Sequence, residues 1–451
     1  MIDMTRPSPV SAELIARFAR EAGKRPEQRA LRNAVVKNGI QAVALDPQTV
    51  VASAYTFSLE IPTGPITHQQ QSGRCWMFAG LNVLRVKAAQ AMNLKEWEFS
   101  QAYPMFWDKM EKANYFLESI LETLDEPRDS RVVAWLLANL MQDGGQWDMF
   151  VNLIEKYGAV PKSVMPETFH SSQSQVMNRL LNRKLRSDAA RLRERHASGV
   201  GLSAVRAEKE AMLGDIYQML THFLGEPPAA FDWEYRDQDD HFHAERQLTP
   251  QAFYARYVGV DLSQYVSLIN APTADKPYGR TYTVQHLGNV IGGRPVRYLN
   301  VDAGTLRRLA LAQLEDGEPV WFGCDVGQLS DRDSGVMAPE LYDYEGVLGV
   351  SLDMSKAEQL DYGESLMTHA MVLTGVNLVK GQPNRWKVEN SWGPDRGHQG
   401  FFVMSDQWFD RYLYQVVVHR KYLPPDLDAA WEREPLILPP WDPMGSLARV
   451  F

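Results

Sequence analysis

Three polar motifs, widely separated along the chain, constrain the fold because their chemistry requires them to meet. The first contains Gln69 and ends at Cys75, where a long apolar run begins. The other two surround His369 and Asn390, in Thr368-His369-Ala370 and Glu389-Asn390-Ser391-Trp392-Gly393. A thiol acts as a nucleophile only as the thiolate, which a neighbouring imidazole stabilises. A fold that brings His369 and Asn390 to Cys75 would therefore complete a cysteine-dependent active site.

The sequence after Cys75 predicts a buried helix. Residues 76–84 are mostly apolar over more than two helical turns, which is typical of a helix without a solvent face. Ser72 and Gly73 precede this run, and we expect them to supply its cap and a flexible approach. The thiol would then lie in the first turn, where the positive end of the helix dipole lowers the pKa of a cysteine.

His369 precedes one apolar run and Asn390 follows the next. If these runs form adjacent antiparallel strands, the chain returns to the same edge of the sheet, and the Asn390 amide oxygen meets an imidazole nitrogen of His369. A lone histidine before an apolar strand is more often a structural residue, so the catalytic interpretation depends on Asn390. Trp392 would either shield this hydrogen bond from water or simply pack as an aromatic residue.

Gln69 lies six residues before Cys75 and is a candidate oxyanion donor. Its side-chain amide would bind the negative charge that develops on a substrate carbonyl, with the Cys75 backbone N–H as the second donor. A glutamine in a glutamine-rich turn is uninformative by itself, so this prediction depends entirely on its spacing from Cys75.

Length and composition predict a large protein in a reducing compartment. A chain of 451 residues that is 45% hydrophobic can bury a core large enough for two or three domains. No apolar run is long enough for a transmembrane helix, and the N-terminus lacks the pattern of a secretory signal. Two cysteines, Cys75 and Cys324, cannot form a disulfide framework. We therefore expect a cytoplasmic location and no membrane partner. Cys324 ends the run Trp321-Phe322-Gly323-Cys324, which predicts a buried strand thiol.

Charge and motif content favour neither nucleic acid nor a cofactor. The formal net charge of −9 argues against nucleic acid as the main partner. The arginine-rich segment 179–195 is interpreted as the solvated face of an amphipathic helix. His241 and His243 lie beside two aspartates, but a third placed metal ligand is lacking, so we expect no metal. No phosphate-binding loop is present, and we expect no organic cofactor.

The motif Ser72-Gly73-Arg74-Cys75-Trp76 resembles the papain signature around its nucleophilic cysteine. Ser72 replaces a cysteine that forms a disulfide in papain, and Gln142 replaces its partner before the Gly144-Gly145 turn. Both losses fit a reducing compartment. His369 and Asn390 lie about twice as far from Cys75 as the 130–150 residues typical of papain. A helical insertion would account for the additional length.

Over nearly its whole length the chain resembles the bleomycin hydrolase and bacterial aminopeptidase C family. Long and unusual strings carry this resemblance, namely residues 72–76, 143–149, 154–158, 231–237, 321–327, 363–371 and 441–445. The resemblance implies an α+β fold with a papain-like two-lobed core, consisting of a helical lobe and a β-barrel-like lobe, to which a helical insertion and a C-terminal arm in the cleft are added. It also implies that Cys75 is the nucleophile, His369 the base, Asn390 the orienting amide and Gln69 the oxyanion glutamine.

We expect five segments along the chain. They are an N-terminal helical and extended segment (1–60), a helical lobe with the nucleophile (61–169), the helical insertion (170–262), a β-rich lobe with the catalytic histidine and asparagine (263–425), and the C-terminal arm that reaches the active site (426–451).

The resemblance further implies a thiol aminopeptidase that acts on peptides with free N-termini and assembles into a homohexameric barrel. The terminal carboxylate of the arm would bind the substrate α-ammonium group. Family tails commonly end at, or one residue after, the position of Ala448, which is our predicted substrate-binding residue together with Trp392. Here Arg449, Val450 and Phe451 follow. We expect the enzyme to trim these three residues itself.

Two other functions stay open at this point. A retained tail would favour a papain-like endopeptidase or a narrower substrate range. A non-catalytic assembly or nucleic-acid-binding protein would use the basic segment 179–195, although the complete set of Gln69, Cys75, His369 and Asn390 argues against it. Neither the preferred N-terminal residue nor the physiological substrate follows from the sequence.

Overall fold

The computed structural model describes residues 9–23 and 27–448. Its contacts divide the chain into two compact units, residues 1–52 with 339–353, and residues 53–338 with 354–451. The predicted five-segment division groups residues by function rather than by contacts, and it stays a prediction.

The smaller unit is helical in its described residues. Its helices are α1 (Ala12–Gly23), α2 (Glu27–Asn38), α3 (Ile40–Ala44), α4 (Pro47–Ala52) and α14 (Tyr344–Leu348). Leu45, directly after α3, forms an antiparallel bridge with Tyr342 before α14. This bridge joins two segments that are distant in the chain.

The helices of the larger unit are α5 (Cys75–Ala91), α6 (Ala102–Glu122), α7 (Arg131–Ala138), α8 (Trp147–Tyr157), α9 (Phe169–Ser172), α10 (Gln175–Ala197), α11 (Leu202–Leu224), α12 (Pro250–Tyr257), α13 (Ala303–Glu315), α15 (Lys356–Asp361), α16 (Asp406–Tyr412) and α17 (Pro425–Trp431). As predicted, α5 is buried along most of its length. Helix α8 ends at Gly158, whose φ of 73° suits glycine and whose Cβ would lie 2.4 Å from the Pro250 carbonyl carbon.

Within the predicted helical insertion, α10 and α11 are separated around Gly199–Gly201, and Gly225 follows the end of α11. Leu181 and Leu185 on α10 are fully buried, whereas Arg183 and Arg186 are exposed, so the amphipathic interpretation of this segment is confirmed. Residues 231–248 differ from the helical expectation and form a hairpin of β2 (Phe231–Arg236) and β3 (Phe242–Leu248). Aromatic residues at alternate positions of β2 explain the strand.

The other strands form one twelve-stranded sheet. They are β1 (Leu59–Glu60), β4 (Tyr265–Ile269), β5 (Arg280–Val284), β6 (Tyr298–Asn300), β7 (Val320–Cys324), β8 (Ser330–Asp331), β9 (Val336–Met337), β10 (His369–Val379), β11 (Gln382–Glu389), β12 (Phe401–Ser405), β13 (Leu413–His419) and β14 (Leu436–Leu438). The order is β14-β5-β6-β4-β13-β7-β10-β11-β12-β9-β8, and β1 pairs with β10. The predicted α+β class is confirmed.

Two apolar cores flank the functional residues of the larger unit. One core joins α5, α6, α8, α10, α11 and α12, and the second lies between the sheet and helices α13, α16 and α17. Cys75 and Trp76 belong to the first core, while Cys324 belongs to the second as a fully buried strand thiol, as predicted. Across residues 9–23 and 27–448, every helix is too short or too polar to span a bilayer.

Candidate active site

Cys75 is the first residue of α5 and is fully buried. The expectation that Ser72 caps this helix is wrong, because Arg74 occupies the N-cap position and makes no side-chain cap. The Ser72 hydroxyl instead closes the turn before the helix. It donates to the Gln69 carbonyl oxygen at 2.6 Å and accepts from Arg74 Nε at 2.8 Å. Cys75 therefore follows a tightly hydrogen-bonded turn.

The arginine of this turn is itself bound to the segment just before the predicted insertion. Arg74 is 1% exposed and donates to both carboxylate oxygens of Glu167, at 3.0 and 2.8 Å. Gln71 pairs with Gln173 in a short parallel bridge. The segment that precedes Cys75 is thus supported by residues 167–174.

The environment of the thiol differs from the sequence-based expectation. Burial raises the pKa of the Cys75 thiol to about 12, and the backbone N–H groups of Ala370, Trp76 and Cys75 lower it only in part. The helix terminus acts in the predicted direction, but desolvation of a fully buried sulfur is larger. Ionisation of this thiol therefore needs a cation that forms beside it.

His369 and Asn390 meet as their strands predict. His369 begins β10, opposite Cys324 of β7, and Asn390 directly follows β11, which is antiparallel to β10. His369 Nε2 and Asn390 Oδ1 are 2.9 Å apart. This contact fixes the ring orientation, so that Nε2 faces the amide and Nδ1 is the other nitrogen.

The imidazole of His369 is fully buried, and burial lowers its pKa to about 4, although the bond to Asn390 opposes this effect. Among the described residues, the buried Nδ1 atom has no hydrogen-bond partner. Helix α5 packs against β10, and the N–H of Ala370, the residue after His369, is close enough to Cys75 to influence its pKa. The structure thus brings the sulfur to the first residues of β10.

Gln69 connects the turn before Cys75 to the residue after Asn390. Its Nε2 donates to the Ser72 carbonyl oxygen at 2.6 Å, and its Oε1 accepts from Ser391 Oγ at 2.7 Å. Its backbone N–H also donates to the Ser391 carbonyl oxygen at 2.8 Å. Sequence reasoning missed Ser391, although it directly follows Asn390 in the motif and its position there was a usable signal.

Trp392 lies beside the imidazole, with its ring centroid 4.8 Å from that of His369. The guanidinium of Arg332 is 4.5 Å from the Trp392 ring and also acts to lower the pKa of His369. The sequence carried no signal for Arg332, which comes from the turn between β8 and β9.

The C-terminal arm runs past the Gly144-Gly145 turn. Ala448 is fully buried and forms an antiparallel bridge with Gly145. Gln146 Nε2 donates to the Ser446 carbonyl oxygen at 2.7 Å, and Tyr298 donates to the Met444 carbonyl oxygen at 3.1 Å. Arg449, Val450 and Phe451 lie outside the described residues.

A cavity of about 690 Å³ adjoins the arm and the residue before His369. Its walls are mainly apolar and aromatic, with a few polar groups, and include Lys112, Met149, Leu287, Thr368 and Leu447. A space of this size and character is typical of a small-molecule or side-chain binding site.

The loop around His241 and His243 has a different character. Asp237 Oδ2 lies 3.3 Å from His241 Nδ1 and 3.0 Å from His243 Nε2. Asp237, Asp239 and His241 are close enough to share an ion, but the latter two are exposed. Asp237 was not among the candidates from the sequence, and these contacts explain the cluster as a polar hairpin turn.

A buried thiol at the start of a helix, set against a hydrogen-bonded histidine and asparagine on an antiparallel sheet, is the arrangement of a papain-like cysteine peptidase. The chain matches the Peptidase C1-like family over residues 9–445 and belongs to that family.

Individual relatives cover almost the whole chain. Aminopeptidase C of Listeria monocytogenes is 52% identical over 436 residues, which span 97% of this chain and 98% of that protein. Bleomycin hydrolase of Gallus gallus is 42% identical over 450 residues, which span 98% of this chain and 99% of that protein. The crystal structure of PepW from Lactobacillus rhamnosis has a TM-score of 0.97 at 52% identity and covers 98% of this chain and 100% of that chain. The resemblance stated from the sequence is confirmed.

Proposed function

We propose that this protein is a cysteine aminopeptidase that removes N-terminal residues from peptides through a thioester intermediate. The observation that carries the proposal is the buried pair of His369 and Asn390 beside the Cys75 thiol. Relatives about half identical over nearly the full length bear the name aminopeptidase C, which supports the same activity.

In the proposed reaction, Cys75 Sγ attacks the carbonyl carbon of the scissile peptide bond and its proton passes to His369 Nδ1. The C–N bond then breaks, and the imidazolium gives this proton to the departing amine. A water molecule, deprotonated by His369, attacks the thioester and releases the N-terminal residue as the free acid. The thiolate recovers its proton, so the cycle leaves the enzyme unchanged.

The buried groups have complementary roles in this cycle. Burial disfavours a lone thiolate and a lone imidazolium, so we expect the two charges to form together as a pair. Asn390 holds the imidazole by its Nε2 atom. Gln69, which is held by Ser72 and Ser391, would donate to the oxyanion together with the Cys75 backbone N–H. Trp392 would cover the histidine.

The C-terminal arm is the proposed source of aminopeptidase specificity. Ala448 occupies the Gly145 turn, so a substrate main chain cannot pair with Gly145 while the arm is there. We propose that the arm, after trimming near Ala448, presents its carboxylate to the substrate α-ammonium group. Intact-mass measurement of the wild type and Cys75→Ala tests the trimming. Removal of residues 449–451 from the wild type alone supports it, and equal full-length masses exclude it.

We further propose a cytoplasmic location and a homohexameric assembly. The absence of a paired cysteine supports a reducing compartment, since Cys75 and Cys324 are both free. Sedimentation of the purified protein tests the assembly, because a stable monomer would exclude the hexamer.

The activity is tested with a panel of aminoacyl-coumarins and their N-acetylated forms. We expect hydrolysis of the free-amine substrates by the wild type and by Cys324→Ala, and none by Cys75→Ala, with the fold of both variants retained. Activity of Cys75→Ala in a clean preparation would overturn the catalytic assignment. Equal hydrolysis of N-acetylated peptides would instead favour an endopeptidase.

A further inference from the structure

Asp143 is a buried acid that joins the turn before the nucleophile to the turn that holds the arm. Its Oδ2 accepts from the Gly73 backbone N–H at 3.0 Å and from the Ser174 hydroxyl. Its own carbonyl oxygen accepts from Trp76 Nε1 at 2.7 Å. One residue therefore binds groups on both sides of Cys75.

Two lysines of α6 bind Asp143 and the residues next to it. Lys109 Nζ donates to Asp143 Oδ1 at 2.6 Å and to the Gln142 carbonyl oxygen at 3.0 Å. Lys112 Nζ donates to the Gly144 carbonyl oxygen at 2.6 Å and pairs with Asp108 at 2.7 Å. The carbonyl groups of residues 142 and 144 are thus fixed by buried cations, as is the carboxylate between them.

The Gly144-Gly145 turn, which these lysines bind, lies directly against Trp76. A Cβ atom on Gly145 would lie 2.5 Å from a ring carbon of Trp76, so only glycine fits. Gly145 is also the residue that pairs with Ala448 of the arm. A small movement of this turn would therefore shift the arm relative to Cys75.

The charge state of Asp143 agrees with this role. Burial alone would raise the pKa of its carboxyl group, but the Lys109 ammonium lowers it well below its usual range, so the group is ionised. Its negative charge in turn raises the pKa of Cys75. Ser72 and Gln142, which replace the disulfide cysteines of papain, flank the same two turns.

We propose that Asp143 is a positioning residue for the peptidase reaction. It fixes the turn before Cys75 (residues 69–74) relative to the Gly145 turn (residues 142–145), as a covalent cross-link would. This inference rests on the proposed function, because it assumes that Cys75 is the nucleophile and that the arm defines where the substrate N-terminus binds. Asp143 acts through Gly73, Trp76 and Gly145 and does not itself touch the substrate.

The test compares Asp143→Asn with Glu118→Gln in the wild-type full-length background. Glu118 is a buried carboxylate on α6 that accepts from Lys209 and Arg206 of α11, away from both turns. Both substitutions keep the side-chain shape and remove one buried charge. A third variant, Lys109→Met with Asp143→Asn, removes both charges of the pair and so avoids an unpaired buried lysine.

For Asp143→Asn we expect kcat/KM on a free aminoacyl-coumarin to fall about 10- to 100-fold, mainly through KM, because the arm is displaced. The pH profile of Cys75 alkylation should move to lower pH, since a negative charge near the sulfur is lost. The double variant should recover stability without recovering KM. Glu118→Gln should change stability alone.

The inference is overturned if Asp143→Asn and Glu118→Gln change kcat/KM equally, or if the double variant restores KM together with stability. It is also overturned if the alkylation profile of folded Asp143→Asn is unchanged. Activity of Cys75→Ala would instead defeat the proposed function, so the two failures are distinguishable.

Discussion

Around Cys75 the chain is held by buried charges on irregular turns, whereas around His369 it is held by a regular strand ladder. The turn before Cys75 depends on Asp143, Lys109 and the pair of Arg74 with Glu167. The histidine and Asn390 are placed by the antiparallel register of β10 and β11, whose buried residues are mainly apolar, with Glu389 as the charged exception. The first region is therefore organised by electrostatics and the second by backbone geometry and apolar packing.

This difference teaches which parts of the site tolerate change. A ladder keeps its register as long as its buried residues stay apolar and well packed. A buried charge network loses several kcal/mol when one partner is removed, because the other partner is left unpaired in a desolvated site. The nucleophile side should therefore be more sensitive to single charge substitutions than the histidine side.

The largest effect is expected where the two regions are joined. Arg85 on α5 donates to Glu389, the residue before Asn390, at 2.7 Å, and both side chains are buried. Arg85→Met should lower the free energy of unfolding by about 3–5 kcal/mol, because it leaves the carboxylate unpaired. Urea unfolding measures this, and Arg85→Met with Glu389→Gln should recover most of the loss. A change below about 1 kcal/mol in the single variant would show that this pair does not couple the regions.

The next effect is on the pH dependence of stability. Two acids, Asp143 and Asp148, should change the free energy of unfolding with pH in opposite directions. Burial raises the pKa of Asp148 to about 6, although the Arg297 backbone N–H opposes this. The native state then holds the proton more tightly than the unfolded chain, so stability falls as pH rises from about 4 to about 6, by about 3 kcal/mol. Asp148→Asn should remove this loss.

Asp143 has the opposite sign, because Lys109 lowers its pKa in the native state. Its contribution to stability is present above about pH 4 and is lost as the pH falls further. Urea unfolding of the wild type, Asp148→Asn and Asp143→Asn at several pH values separates the two acids. If the free energy of unfolding of Asp148→Asn still falls between pH 4 and 6 as that of the wild type does, the fall does not come from the raised pKa of Asp148.

The smallest effect on stability is expected for Gly145→Ala. Its new Cβ would meet the Trp76 ring at 2.5 Å, and the required shift should cost about 1–3 kcal/mol while reducing peptidase activity. Gly214→Ala on α11 is the matched control, because a Cβ there meets nothing within 4 Å and an exposed helical position favours alanine. Equal activity in both variants would show that the Gly145 turn does not position the arm.

The buried elements around Cys75 and the meeting of His369 with Asn390 follow from the sequence, because apolar runs bounded by turn residues indicate buried helices and strands. The interval between His369 and Asn390 fits two adjacent strands, which β10 and β11 form. The side chains of His369 and Asn390 are then joined by a hydrogen bond. The buried start of α5 is likewise indicated by the apolar run of residues 76–84.

The remaining features depend on contacts between distant segments. Lys109 and Lys112 carry no local signal that they are buried, and charged residues of this kind are usually exposed. The raised pKa of Cys75 was missed because the sequence indicates the helix terminus but not the extent of desolvation. Ser72 does not cap α5, because its hydroxyl hydrogen-bonds within its own turn.

The central claim is that Cys75 carries the chemistry, and site-specific alkylation tests it most directly. The purified wild type is treated with limiting iodoacetamide, and residual aminoacyl-coumarin hydrolysis is compared with peptide mapping of both cysteines. We predict that activity falls in proportion to modification of Cys75, while Cys324 in its buried strand stays unmodified. Full modification of Cys75 with activity retained, or inactivation that follows modification of Cys324 instead, would contradict the account.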